Sequence, residues 1–222
     1  MIHRAAGFQE LLEFRFAGQT NAACWPRTLP GDFAEVARAL GPGEGIVALE
    51  ESHLRGLPLG AGGRAAVDVM LADLALLRAA GRDPGLNIIH GYPRDDSGDP
   101  VATDVMSWHV DRAPIEAETW LCTYFGAASE GLHPADARRK VNDPAIRTAL
   151  LKQYAGPDDA DFAEWLAENH YDLHYLPRPG AEPYAFGRHN LWRITCAWPG
   201  APVPPCVHRA PDTVEPRLLL IS

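Results

Sequence analysis

The stretch ETWLCTYFG, residues 118–126, alternates in the way that is typical of a β-strand with both faces covered. Period-two counting divides it into one face made of Trp120, Cys122 and Tyr124 and a second made of Leu121, Thr123 and Phe125. Both faces are therefore expected to pack, as in a sandwich or a barrel. The 20 glycines and 20 prolines of the chain cluster between short apolar runs, which favours a loop-rich fold with many short strands.

Helical patterns lie on both sides of this strand. LPGDFAEVARAL (29–40) has apolar residues at helical spacing after a capping residue, Asp32. RAAVDVMLADLALLRAAG (64–81) has the most regular apolar stripe of the chain and ends on a glycine. Two shorter helices are predicted in NDPAIRTALLKQYAGP (142–157) and DADFAEWLAENH (159–170).

These patterns predict one domain over residues 1–222, mainly β with flanking helices (α+β). Residues 1–85 form a mainly helical N-terminal part, and residues 86–222 form a β core with a helical insertion at about 133–170. No internal repeat, low-complexity tract or linker divides the chain.

Composition narrows the class of protein. The net charge of −9 argues against binding to a nucleic-acid backbone, and no apolar stretch is long enough to span a bilayer. The start, MIHRAAGFQELLEF, lacks the pattern of an export signal. The four cysteines contain no C-x-x-C pair, which favours buried free thiols in a reducing compartment. A cytoplasmic protein is expected.

SWHVDRAP (107–114) carries a candidate pair of metal ligands. In a strand, His109 and Asp111 lie on the same face. A second imidazole from a neighbouring strand would complete a two-histidine, one-carboxylate triad, which leaves positions on Fe(II) open for oxygen and a co-substrate. The best candidate is His208, in CVHRAPDTVEPRLLLIS (206–222).

Arg217 lies nine residues after His208, at the start of the last apolar strand. A buried guanidinium needs a partner, and a dicarboxylate co-substrate on the metal would supply one. Arg209 is an alternative anchor, although in a strand it faces away from His208. Tyr124 and Tyr92 are each candidates to hydrogen-bond the co-substrate, with a packed tyrosine as the alternative.

Other residues have weaker claims. Trp192 and Arg193 line the mouth of the site or are a core tryptophan and a surface arginine. His170 and His174 have the spacing of a helical ligand pair but lack the glutamate of a zinc protease motif; His174 or His189 could instead contact substrate. No G-x-S-x-G elbow, phosphate loop or dinucleotide fingerprint is present.

The order H-x-D, distal histidine, arginine resembles that of Fe(II)/2-oxoglutarate-dependent oxygenases, whose fold is a double-stranded β-helix, a cupin-like jelly-roll barrel. More closely, the chain resembles the DUF1826 family in four pieces: TNAACWPRTLPGDF (20–33), WHVDRAPIEAETWLCTYFGAASEGL (108–132), AWPG (197–200) and VHRAP with PRLLLIS (207–211 and 216–222). The oxygenase resemblance implies His109, Asp111 and His208 as iron ligands and Arg217 as the 2-oxoglutarate anchor.

The resemblance implies an oxygenase that uses Fe(II), molecular oxygen and 2-oxoglutarate to oxidise a C–H bond of a small molecule, such as an amino acid or a natural-product intermediate, with release of succinate and CO2. Two alternatives stay open: a cupin-type dioxygenase or isomerase that does not use 2-oxoglutarate, and a non-catalytic β-barrel binding protein. No nucleic-acid or membrane partner is expected, and the oligomeric state is not readable.

Overall fold

The computed structural model describes residues 2–222. In these residues the helices are α1 (Phe8–Glu13), α2 (Phe33–Leu40), α3 (Glu51–Gly56), α4 (Ala61–Ala79), α5 (Pro144–Tyr154) and α6 (Ala160–Glu168). The strands are β1 (Ile2–Arg4), β2 (Ala22–Trp25), β3 (Ile46–Ala48), β4 (Gly85–Ile89), β5 (Glu118–Phe125), β6 (Glu130–Leu132), β7 (Ala137–Arg139), β8 (Tyr175–Pro177), β9 (Tyr184–Ala185), β10 (Leu191–Thr195), β11 (Val207–Arg209) and β12 (Arg217–Ile221). Short 3₁₀ helices lie at Pro134–Asp136, Lys140–Asn142 and Tyr171–Leu173.

The largest sheet has seven strands in the order β1-β2-β10-β5-β12-β4-β3, with β5 at its centre. Only the β1–β2 pair is parallel. A three-stranded sheet, β11-β6-β9, and a β7–β8 pair complete the β structure of residues 2–222. The predicted α+β class is therefore confirmed as a large, mostly antiparallel sheet with flanking helices, whereas the predicted barrel is not observed, because no sheet of the described residues closes on itself.

The alternation of β5 sorts the core into two sides. Trp120, Cys122 and Tyr124 pack with the N-terminal helices, and Leu121 packs in a second cluster on the opposite face, as the period-two pattern predicts. Phe125 departs from the prediction, because it packs against the helical side. It lies where the pairing between β5 and β12 shifts register, which breaks the simple alternation.

The helices form where their patterns predict them. In α4, Met70, Leu74 and Leu77 are buried against the large sheet. Asp32 caps α2 by accepting from the backbone N–H of Glu35 at 2.9 Å. None of the helices within residues 2–222 has both the length and the hydropathy needed to cross a membrane.

Two boundaries of the sequence-based organisation need correction. Residues 2–85 contain helices α1 to α4, but they also supply β1, β2 and β3 to the large sheet. The boundary at residue 85 therefore does not separate a helical part from a β part. These strands have only three or four residues and show no readable alternation. The insertion at about 133–170 contains α5 and α6 around their own buried cluster. It also contains β7, which pairs with β8 beyond it.

Candidate metal centre

His109 and His208 are brought together by backbone pairing. The backbone N–H of each donates to the carbonyl of the other at 2.9 Å, an arrangement that places both side chains on the same side. The segment 107–114 is not the regular strand that the sequence predicts, because His109 forms only single bridges, to His208 and to His174. Trp108 and Val110 nevertheless point to the opposite side, into a buried cluster.

The three predicted ligands converge. His109, Asp111 and His208 each offer a ligand atom, and these atoms lie within 4.8 Å of one another. Nε2 of His109 is 4.0 Å from Oδ1 of Asp111, and Nε2 of His208 is 3.8 Å from Oδ2. Donors that each bind one ion at about 2 Å lie at most about 4 Å apart, so the three side chains could hold a metal ion after small rotations.

Backbone carbonyls orient both imidazoles. Nδ1 of His109 lies 2.8 Å from the carbonyl oxygen of Ser107, and Nδ1 of His208 lies 3.1 Å from that of Cys206. A ring that donates from Nδ1 keeps the lone pair of Nε2 free for a metal. In both histidines it is Nε2 that faces Asp111.

The protonation states suit metal binding. Burial, followed by the nearby ring of His208, lowers the pKa of His109 to about 4. Burial raises the pKa of Asp111, but His208, the hydroxyl of Thr119 and His109 outweigh it, so the net pKa is lowered. Thr119 Oγ1 donates to Oδ2 of this aspartate. At neutral pH the site therefore has a neutral imidazole and an ionised carboxylate, the forms that bind metals.

Arg217 is buried without a counter-ion. Its side chain is 1% exposed and donates to the hydroxyls of Tyr92 at 2.6 Å, Thr123 at 3.2 Å and Ser129 at 3.1 Å. Its Nε is buried with no partner, and no carboxylate of residues 2–222 forms an ion pair with it. Burial lowers the pKa of Arg217. Such a guanidinium is stabilised by a bound anion.

Arg209 already has a carboxylate partner. Its Nε and Nη2 lie 2.9 and 2.7 Å from Oε2 of Glu130, and its guanidinium lies over the ring of Trp108 at 4.5 Å. As predicted for a strand, it faces away from His208. Of the two candidate anchors, Arg217 is the one left without a carboxylate.

The two candidate tyrosines lie on different sides of the sheet. The hydroxyl of Tyr92 accepts a hydrogen bond from Arg217, and Tyr92 lines the same cavity as the candidate metal ligands. Tyr124 needs correction as a site residue, because its hydroxyl donates to Oδ2 of Asp73 at 2.7 Å in the helical core. The guanidinium of Arg27 donates two hydrogen bonds to the same carboxylate, from Nη1 to Oδ1 at 2.6 Å and from Nη2 to Oδ2 at 2.8 Å.

Two cavities meet at the centre. The inner cavity, of about 430 Å³, is lined by the three candidate ligands together with Tyr92 and Ser129, so metal centre and anion site share one space. The outer cavity, of about 810 Å³, also reaches two of the ligands. Its lining includes His109, Asp111, Arg112, Leu173, His174 and Trp198.

Sequence reasoning missed the hydroxyl groups that support the site. Thr119 and Thr123 lie on the same face of β5 as Leu121, which the alternation could have identified. Ser129 carries no comparable signal, because it lies in the loop before β6.

The other residues that the sequence singles out do not join the three candidate metal ligands. Residues 170 and 174 do not share a helix, since His170 has a left-handed backbone and a 3₁₀ helix separates the two. Trp192 is buried. Arg193 is not at the surface either: it is buried and pairs with Glu118. His189 packs on the helical side, with Nε2 3.2 Å from the carbonyl oxygen of Tyr124.

Comparisons of the chain with protein-family models, curated proteins and solved structures gave no match. The fold and the site define the protein as an α+β chain with a candidate metal centre of two histidines and one aspartate. Arg217, a buried arginine without a counter-ion, lies beside that centre.

Proposed function

We propose that the protein is a non-haem Fe(II)- and 2-oxoglutarate-dependent oxygenase that acts on a small molecule. One observation carries the proposal: the candidate ligand set and two of the three hydroxyl partners of Arg217, those of Tyr92 and Ser129, line the same inner cavity. A dicarboxylate such as 2-oxoglutarate could bind a metal at one end and this guanidinium at the other.

The donor set fits Fe(II). Two imidazole nitrogens and one carboxylate leave positions of the ion open, which is the ligand set of non-haem Fe(II) oxygenases. His109, Asp111 and His208 would hold the iron, and Arg217 with Tyr92 would hold the far carboxylate of 2-oxoglutarate. Together the bound iron and 2-oxoglutarate supply the oxidising chemistry, in which oxygen is consumed and succinate and CO2 are released.

The residues of the chain itself orient the candidate ligands and bind the anion. The Ser107 and Cys206 carbonyls fix the two imidazole rings, and Thr119 fixes Asp111. Burial of Arg217 strengthens its attraction for an anion, since few waters screen it. Apolar residues of both sides of the cavity, among them Leu121 and Leu219, also line this space.

We also propose that the large sheet and the β11-β6-β9 sheet are an open form of the double-stranded β-helix. Phe186 and Cys206, which adjoin the smaller sheet, pack with Leu121 and Leu219 of the large one. His208 lies on β11, so the candidate centre is between the two sheets. This arrangement supports the oxygenase resemblance, and membership of the DUF1826 family is part of the same proposal.

The test is an anaerobic titration of metal-free protein with Fe(II) and then with 2-oxoglutarate. We expect the visible charge-transfer band of the iron chelate in the wild type and in His53→Ala, a control at an exposed position of α3. His109→Ala should remain folded and show no band.

Other outcomes would replace the proposal. Iron binding without a band would contradict the use of 2-oxoglutarate and favour a metal-dependent dioxygenase or isomerase, with Arg217 holding a substrate carboxylate. No metal binding at all would favour a non-catalytic binding protein.

A further inference from the structure

The outer cavity has no free charged side chain. Within the described residues, its charged lining groups are Asp111, a candidate metal ligand, and Arg112. Arg112 is already paired with the carboxylate of Asp172 and also donates to the carbonyl of Ala167 at 3.3 Å. Most other lining residues are apolar. A charged substrate group that entered this cavity would lose water without gaining a partner.

One buried polar side chain of the outer cavity has no hydrogen-bond partner among the described residues. His174 is 4% exposed and lines the cavity, and its Nδ1 is buried without any hydrogen bond. Its Nε2 has no hydrogen-bond partner within residues 2–222 either. The ring is held close to the candidate centre, with its centroid 6.0 Å from that of His109. Backbone pairing between the two residues fixes this position.

The environment of His174 decides which nitrogen carries its proton. A proton on Nδ1 would be a buried donor without an acceptor, which is rarer in folded proteins than a buried acceptor without a donor. The neutral ring therefore carries its proton on Nε2 and has that N–H left for a ligand. An unsatisfied donor of this kind in an otherwise apolar cavity is matched by a ligand oxygen.

We propose that the outer cavity binds an uncharged, largely apolar substrate whose oxygen accepts a hydrogen bond from Nε2 of His174. The body of the substrate would pack on Leu173 and Trp198. The role of this cavity as a substrate site rests on the proposed oxygenase function. The inference selects against a free amino acid, whose ammonium and carboxylate groups would both be unmatched.

The test uses metal-free protein and four small probes of similar size: acetophenone, ethylbenzene, benzoate and phenylalanine. Ligand-observed NMR titrations measure each dissociation constant. We expect acetophenone to bind about tenfold more tightly than ethylbenzene, which cannot accept the hydrogen bond. Both charged probes should bind at least about tenfold more weakly than acetophenone, because their charged groups would lose water without gaining a partner of opposite charge.

His174→Leu should weaken acetophenone binding about tenfold and leave ethylbenzene binding unchanged. His53→Ala is the control, and both probes should bind it as they bind the wild type. If His174→Leu does not fold, Trp198→Ala, at a half-buried position, supplies the second comparison, and both acetophenone and ethylbenzene should bind it several-fold more weakly.

Three results would overturn the inference: benzoate or phenylalanine binding as tightly as acetophenone in Arg217→Met, where the proposed anion site of the inner cavity is absent, acetophenone binding that His174→Leu does not change, or no binding of any probe at millimolar concentration. These titrations need neither iron nor 2-oxoglutarate. Failure here with a normal charge-transfer band in the other experiment would reject the substrate class and keep the oxygenase. Probe binding in the expected order, without the band, would reject the oxygenase and keep the class of ligand that the outer cavity binds.

Discussion

The guanidinium of Arg217 is held by hydroxyl groups alone. Tyr92, Thr123 and Ser129 can each accept a hydrogen bond, but none of them carries a charge that offsets the arginine. By contrast, the other deeply buried arginines, Arg27 and Arg193, pair with a carboxylate. The missing charge at Arg217 is what a bound anion would supply.

Replacement of Arg217 by methionine should lower 2-oxoglutarate affinity by an amount on the order of 2–5 kcal/mol, the usual cost of breaking a buried charge pair. The variant should remain folded, because no protein carboxylate loses its partner. The measurement is the 2-oxoglutarate dependence of the charge-transfer band at saturating Fe(II). Arg209→Met is the matched control and should bind 2-oxoglutarate as the wild type does; equal losses in the two variants would contradict the assignment.

At the level of elements, one face of β5 contacts the candidate site and the other face packs in the helical core. Thr119 and Thr123 contact Asp111 and Arg217, whereas Trp120, Cys122 and Tyr124, on the opposite face, pack under the helices. Tyr124 belongs to the second set, and its hydroxyl joins β5 to α4 through Asp73.

Tyr124→Phe should therefore lower the free energy of unfolding by about 1–3 kcal/mol, since it leaves a buried carboxylate with one partner fewer. It should not change 2-oxoglutarate affinity. Tyr92→Phe is the matched variant and should show the opposite pattern, with weaker 2-oxoglutarate binding and a small change in stability. Urea unfolding and band titrations measure both quantities, and a loss of 2-oxoglutarate affinity in Tyr124→Phe would place that residue in the site after all.

The sequence predicts elements whose signals are local. Period-two counting places His109 with Asp111 and sorts β5 into its two faces, and both results depend only on neighbouring residues. It cannot tell which face of β5 meets the helices, so it leaves open whether Tyr124 lies at the site or packs in the core, where the structure places it. The strands β1 to β3 have no signal of their own, because they form by pairing with distant partners such as β10 and β4.

At the scale of the whole molecule, the layers place the candidate centre in a buried position between the two sheets. Burial is the largest cause that lowers the pKa of both His109 and His174, each to about 4. An unfolded histidine has a pKa of about 6.5. Between these values the unfolded chain binds protons that the folded chain does not, so stability rises with pH from about 4 to 6.5 and is lost as pH falls through this window.

The metal-free protein should consequently lose stability between pH 7 and pH 5, with each of these rings contributing about 2 kcal/mol at pH 5. In His174→Gln the fall should be smaller by about that amount, because glutamine takes up no proton in the unfolded state. Urea unfolding at the two pH values measures the difference. His53→Ala is the control and should follow the wild type, since this side chain lies at an exposed position of α3, away from the candidate centre. Parallel falls in His174→Gln and the wild type would show that His174 is protonated in the folded protein and that its ring is not held neutral by burial.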